Sequence, residues 1–160
     1  KEPITTYTYR FLGNYDDAVD VAQETFVRLY RFGHTFVGEV KFSTWLYRIA
    51  TNKCKDWLRV KRPGMGQQDV DIDETLDIHI AEEQTPERLL SQQQVAQALE
   101  QAIQRLPPLY REAFILKHIE GLSYEEMEAI LGVNTDTLKM RVYKGRLQLS
   151  RDLADLNPAQ

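Results

Sequence analysis

The sequence has little of what most enzymes and secreted proteins are built on. Cys54 is the single cysteine in 160 residues, which excludes an internal disulfide and fits a reducing compartment. No apolar run approaches the roughly 18 residues of a membrane span, so membrane insertion is not expected. No secretory signal is visible, and the chain begins at Lys1 rather than a methionine. His34, His79 and His118 are scattered, without metal-ligand spacing. No Gly-rich phosphate loop or nucleophile motif is present, so an enzyme is the weakest class, with no catalytic residue, metal or cofactor expected. Alternating strand patterns are also missing, which leaves an all-α chain.

Basic charge is scarce overall, at net −4, but it is unevenly placed. Residues 1–62 carry 11 basic and 7 acidic groups, residues 63–98 carry 1 and 8, and residues 99–160 carry 8 and 9. The acid is concentrated in the middle, and both ends are free to be locally basic.

Helical periodicity divides the chain into two units. Ile4, Tyr7, Phe11 and Leu12 mark a short helix stopped at Gly13-Asn14. A second helix, capped by Asp16 or Asp17, buries Ala18, Val21, Ala22, Phe26 and Leu29 and ends at Gly33. After a polar loop containing Phe36, a third helix starts near Ser43 and ends at Pro63-Gly64. Residues 63–85 lack a sustained period and read as a flexible acidic linker. Thr85-Pro86-Glu87 opens the next helix, with Leu89, Ala96, Leu99, Ile103 and Leu106 inward. A helix over residues 109–119 follows. The capping box Ser123-Tyr124-Glu125-Glu126 starts a short helix, and Gly132-Val133-Asn134 turns into a last helix from Thr135. The expected architecture is two small helical domains, 1–62 and 86–160, joined by that linker. A 62-residue helical unit is marginal alone, so partner stabilisation is expected.

Two stretches carry chemistry. On the third helix Arg48, Asn52, Lys55, Arg59 and Arg62 fall on one polar stripe opposite Leu46, Ala50, Cys54 and Trp57. A cationic stripe over an apolar back suits phosphates, although a solvated face has the same pattern. Trp45 at the stripe's edge is equipped to stack a base. In the second unit, a capped short helix, a Gly turn and a basic helix form a helix-turn-helix. Leu138, Val142 and Leu149 hold that helix, leaving Lys139, Met140, Arg141, Tyr143, Lys144 and Arg146 outward or flanking. Such side chains can read base edges in the major groove, though many αα-hairpins that bind no DNA share the spacing.

Asp17-Ala18, Asp20, Gln23-Glu24 and Phe26, Phe42 to Ala50 with Asn52, Leu106-Pro107, Tyr110-Arg111, Gly121 to Glu126, Ile130 to Gly132 and Thr137 together resemble bacterial extracytoplasmic-function (ECF) sigma factors. The likeness covers nearly the whole chain except the linker. It implies a region 2-like domain, a region 4-like domain and promoter-directed transcription initiation in the cytoplasm. By position, Asp20, Gln23, Glu24 and Arg28 would dock on the β′ clamp helices of core RNA polymerase, whose β flap is a further expected contact. Phe36 and Asn52 match the positions that capture a flipped −10 base; Phe36 alone also reads as a buried loop anchor. Lys41, Trp45, Arg48, Lys55, Arg59 and Arg62 complete the expected −10 set, while Thr135, Lys139, Met140, Arg141, Tyr143, Lys144 and Arg146 form the −35 set.

Glu128, Asp136 and Met140 depart from the family, which often has a small residue at the first position and usually Gly and Ser at the others. Promoter preference therefore does not transfer from relatives. The linker reads either as a polyanion mimic in a cationic channel or as a tether. An anti-sigma partner is implied. The runner-up is a transcription regulator that binds duplex operators by its helix-turn-helix; on that reading Trp45, Phe36 and the stripe have no role.

Overall fold

A computed structural model describes residues 2–61 and 91–155 as α-helices joined by short turns, with no strand among the described residues. Arg62, the linker and the Thr85-Pro86-Glu87 helix start lie outside them.

Helix α1 (Glu2–Leu12) buries Ile4, Tyr7, Phe11 and Leu12, the expected spacing. It stops at Gly13, where φ is +76° and an added Cβ would lie 2.5 Å from the Gln104 side chain. The backbone hand favours glycine there, and a larger residue would also have to displace the Gln104 side chain. Helix α2 (Tyr15–Phe32) is capped by Asn14, whose side chain accepts from the Asp17 amide. Asp16 and Asp17 sit in the first turn instead, where their charge complements the helix dipole. The Thr8 hydroxyl donates to the Ala18 carbonyl and ties α1 to α2 in the buried core.

A single 3-10 turn, Gly33–Thr35, precedes α3 (Phe42–Lys61). Ser43 falls inside α3 rather than before it. The buried face of α3 uses Ile49, Ala50, Cys54 and Leu58, and Thr51 meets the Tyr7 hydroxyl at 2.6 Å.

Helix α4 (Gln92–Arg105) starts with a reciprocal capping box between Ser91 and Gln94. Ala102, Ile103 and Leu106 are buried, whereas Ala96 is exposed. Helix α5 (Pro108–Phe114) runs into a π turn, Ile115–Ile119, and Glu120 follows it. Helix α6 (Tyr124–Leu131) has the expected Ser123–Glu126 box and ends at Gly132, where φ is +69°. Asn134 caps α7 (Thr135–Asp155) through the Thr137 amide.

Both expected helical units are present, and their described parts share one apolar core. It runs from Tyr7 and Phe11 past Cys54 and Leu58 to Ile103, Leu106 and Ala113. Arg111 is the polar pin of this joint. It is 1% exposed and donates to the carbonyls of Phe11, Ile103, Gln104 and Leu106. These include carbonyls at the C-terminal ends of α1 and α4, which lack partners within their own helices. The first unit thus finds part of its supporting surface in the second.

Candidate nucleic-acid interface

The α3 stripe lines a groove of about 550 Å³ beside α2. Arg48, Asn52, Lys55 and Arg59 come from α3, with Trp45 at one end and Arg28, Phe32 and Thr35 contributed by α2 and its turn. Helical spacing of four and three places the stripe on one side. Lys53 also lines the groove, and Asp56 tempers it with a 3.6 Å ion pair to Arg59. Its charge is nevertheless strongly cationic, as a phosphate track requires.

An aromatic cluster stands by the groove. Phe36 lies 5.3 Å from Trp45 and 5.6 Å from Phe42, ring to ring, and Phe42 lies 5.9 Å from Trp45. Phe36 is half-buried in this cluster, not sealed in the core as a loop anchor would be. Phe42 is 47% exposed and, although part of the matched motif, was not in the expected −10 set. Its spacing of three from Trp45 on α3 is the signal that places the two rings together. Lys41 is exposed just before α3 and does not line the groove.

Two stripe residues already have acceptors from the second unit. Arg48 Nε donates to the Ala129 carbonyl of α6 at 2.8 Å. Lys55 Nζ lies 3.0 Å from Glu112 Oε2, and Glu112 is 1% exposed. Burial pushes the Glu112 carboxyl above its ordinary pKa, outweighing the opposite pull of Lys55 and Arg141. Neither acceptor was expected, because a helical wheel shows which face is polar but not what covers it.

On α2, Asp20, Gln23, Glu24 and Arg28 are all exposed. Arg28 lies 5.2 Å over the Phe32 ring and so leans toward the α3 groove. Val27 and Tyr30, 50% and 91% exposed, add apolar area to this surface that the polar pattern did not single out.

In the helix-turn-helix, Lys139 and Arg146 are exposed, while Thr135, Met140, Arg141 and Tyr143 are half-buried. Lys144 corrects the expectation of an outward side chain, since it is 7% exposed. Helices α4, α5 and α6 all pack on α7, so its covered face is wider than Leu138, Val142 and Leu149 imply. At Gly145 an added Cβ would lie 3.5 Å from the Tyr110 carbonyl oxygen, an ordinary contact, which shows how closely α5 covers this side of α7. Lys117 and Lys139 flank the Tyr124 ring at 4.4 and 5.6 Å. His118 titrates below its ordinary value through burial and the nearby Arg146 and Lys117 cations. Exposed Lys139 and Arg146 thus stand beside exposed Glu125, Glu128 and Asp136 on this motif, so its cations are local rather than a net positive face.

No group of three or more His, Cys, Asp or Glu among the described residues is arranged to hold a metal ion. No helix among them is long and apolar enough to cross a membrane.

Comparison with known proteins agrees with this layout. The Sigma-70 region 2 family matches residues 1–63, and the Sigma-70, region 4 family matches residues 96–149. The chain is 38% identical over 160 residues to the ECF RNA polymerase sigma factor SigW of Bacillus subtilis, covering 98% of this chain and 86% of the relative. It is 40% identical over 146 residues to the ECF RNA polymerase sigma factor SigE of Mycolicibacterium smegmatis, covering 91% of this chain and 55% of that longer protein. Among solved structures, the sigma factor RpoE in complex with the anti-sigma factor NepR from Bartonella quintana matches with a TM-score of 0.71 at 26% identity, over 95% of this chain and 90% of that one. The fold is also that of CnrH, solved with the cytosolic domain of CnrY, with a TM-score of 0.66 over 97% of this chain and 82% of that one. Two matched regions in the same order, on a basic groove and a helix-turn-helix, set aside the simple regulator, and the chain belongs to the ECF RNA polymerase sigma factors.

Proposed function

We propose that this sigma factor opens its promoters through the α3 groove, capturing a −10 base against the Phe36, Phe42 and Trp45 rings beside Asn52. The observation that carries the reading is a cationic groove with Trp45 at its end and the Phe36 and Phe42 rings packed against that tryptophan. Flipping a base out of a duplex costs a few kcal/mol, and stacking on an aromatic returns about 1–3 kcal/mol. One or two such contacts therefore offset the cost. Arg48, Lys55 and Arg59 supply phosphate affinity with little sequence information, and Arg62 continues their spacing.

The exposed α2 surface of Asp20, Gln23, Glu24 and Arg28, with Val27 beside them, is the docking face for the β′ clamp helices of core polymerase. The second unit is the docking site for the β flap. Thr135, Lys139, Met140, Arg141, Tyr143 and Arg146 form the −35 face, with Lys139 and Arg146 as its exposed cations. Lys144 joins that face only if the packing around α7 changes. The protein acts in the cytoplasm, without enzymatic chemistry of its own, and is held by an anti-sigma factor until needed.

Reconstitution tests this reading. Mixed with bacterial core RNA polymerase and a genomic promoter library, the protein is expected to give transcripts whose start sites share paired upstream motifs. Failure to associate with core, together with tight duplex binding by the chain alone, would overturn it.

A further inference from the structure

The outward side of α7 carries a carboxylate in the middle of its donors. At about 100° per residue, Asp136, Lys139, Met140 and Tyr143 fall within about 100° of one another. Leu138, Val142, Gly145 and Leu149 fall on the far side of the helix. Burial follows the same division. The second group is buried, Asp136 and Lys139 are exposed, and Met140 and Tyr143 are half-buried. Asp136 thus stands near the centre of the uncovered face, in the first turn.

The local roles open to such a residue are already filled. Asn134 caps the helix: its side-chain oxygen accepts from the Thr137 amide at 2.8 Å, and its carbonyl accepts from the Leu138 amide at 3.1 Å. Lys139, the cation within reach one turn on, leans over the Tyr124 ring at 5.6 Å. The Asp136 carboxylate forms no ion pair among the described residues. It complements the helix dipole, but a first-turn carboxylate on any side of the helix would do the same. Its side is what matters for DNA. The N-terminal residues of a recognition helix meet base edges on the groove floor, between two rows of phosphates. A carboxylate on the flank would be repelled by one of those rows, whereas one at the centre points between them. Arg146, about 80° round from Asp136, has the flank position that suits a phosphate.

We propose that Asp136 is a specificity-determining residue of the −35 face, accepting a hydrogen bond from the N4 amino group of a cytosine. The proposal rests on the promoter reading above and deepens it by naming a base. An ionised carboxylate only accepts. In the major groove cytosine offers it the N4 donor alone, while adenine sets the N7 acceptor beside its N6 donor. Guanine turns N7 and O6 toward it and thymine turns O4, all acceptors. The expected order is cytosine, then adenine, then the other two. Lys139 lies about 4.5 Å further along the helix axis, against a base step of roughly 3.4 Å. Its ammonium can donate to guanine O6 or N7 in the same base pair or the next. Acceptor and donor side by side therefore fit the two edges of C·G pairs.

The test uses the whole chain in holoenzyme with bacterial core polymerase. The probe is a promoter with a fixed −10 region, recovered from the run-off library, and a fully randomised −35 segment; bound duplexes are sequenced. Wild type is expected to enrich cytosine at one position at least about fivefold over every other base. Asp136→Asn, whose amide can pair with adenine N6 and N7, is expected to move that preference to adenine. Asp136→Ala is expected to abolish it, with preferences at the remaining positions kept. Both variants lose a charge that phosphates repel, so in anisotropy titrations each should bind non-cognate duplex at least as tightly as wild type.

Wild-type base preferences in both variants overturn the proposal and leave the promoter reading intact. A wild-type preference for guanine or thymine at the position that the variants alter also overturns it. So does a uniform loss of affinity at every sequence in both variants, which marks a structural role for Asp136. If wild-type holoenzyme enriches no −35 sequence at all, the promoter reading of the helix-turn-helix fails, and the proposal falls with it.

Discussion

Replacing Arg111 with methionine should cost the fold more than any other single change at the joint between its two units. The side chain is 1% exposed, and its guanidinium reaches the carbonyls of Gln104 at 2.6 Å, Phe11 at 2.9 Å, and Ile103 and Leu106 at 3.2 Å. Hydrogen bonds from a charged donor contribute about 1.5–3 kcal/mol each, though bonds sharing one donor do not add. Methionine fills much of the same volume, so the loss comes chiefly from carbonyls left buried without a donor. Leaving even two of them unpaired gives about 2–6 kcal/mol, a large part of the 5–15 kcal/mol typical of whole domains. Urea unfolding, followed by far-ultraviolet circular dichroism and tryptophan fluorescence, reads this as a lower midpoint. Lysine at the same position keeps the charge but not the planar fork, and should fall between wild type and methionine. A loss below about 1 kcal/mol for Arg111→Met would refute the reasoning.

Three other outcomes follow from the same geometry. Lys139→Ala and Arg146→Ala remove exposed cations from the helix-turn-helix, so each should weaken holoenzyme binding to a −35 duplex and reduce the salt slope by about 1, as read by anisotropy titrations across ionic strength. Arg59→Ala should lower affinity for −10 DNA similarly at every base sequence, because a phosphate contact carries little base information. Glu112, faced by Lys55, Cys54, Tyr7 and Arg141, binds its proton more tightly folded than unfolded. Its contribution to stability is therefore full below the ordinary 4.5 and is lost as pH rises through the raised folded value. Glu112→Gln, which is neutral throughout, should flatten the fall in melting temperature as pH rises above 4.5; an unchanged profile would contradict it.

Much of this was legible in the sequence, and the exceptions share a cause. Periodicity identified Ile4, Tyr7, Phe11 and Leu12 of α1, Ala18, Val21 and Ala22 of α2, and Leu138, Val142 and Leu149 of α7, all buried, because an apolar stripe at helical spacing reads from local sequence whichever neighbours cover it. The Ser123 capping box was legible because both partners lie within four residues. Asn14 was missed as the α2 cap in favour of Asp16 and Asp17, since all three are competent caps and only the chain's path selects among them. Arg48, Lys55 and Lys144 carry the longer-range lesson. Their spacing fits an outward polar face, yet a second layer of helices meets all three. Charge pattern alone does not distinguish a cation that waits for phosphate from one with an acceptor already across an interface. Arg111 and Glu112, the buried ionic groups at that interface, left no local pattern beyond the family motif that contains Arg111.

The central claim is that a base leaves the −10 duplex for the surface made by Phe36, Trp45 and Asn52. Fluorescence of 2-aminopurine at the captured non-template position, followed as holoenzyme meets promoter, reads that step directly. The account predicts a rise with the wild-type protein. It predicts a rise reduced at least fivefold for Phe36→Ala, since a lost stack is worth about 1–3 kcal/mol, and a reduced rise for Asn52→Ala through its lost amide hydrogen bonds, while binding of core polymerase is retained. A full rise in both variants would place the captured base elsewhere and contradict the assignment of this groove.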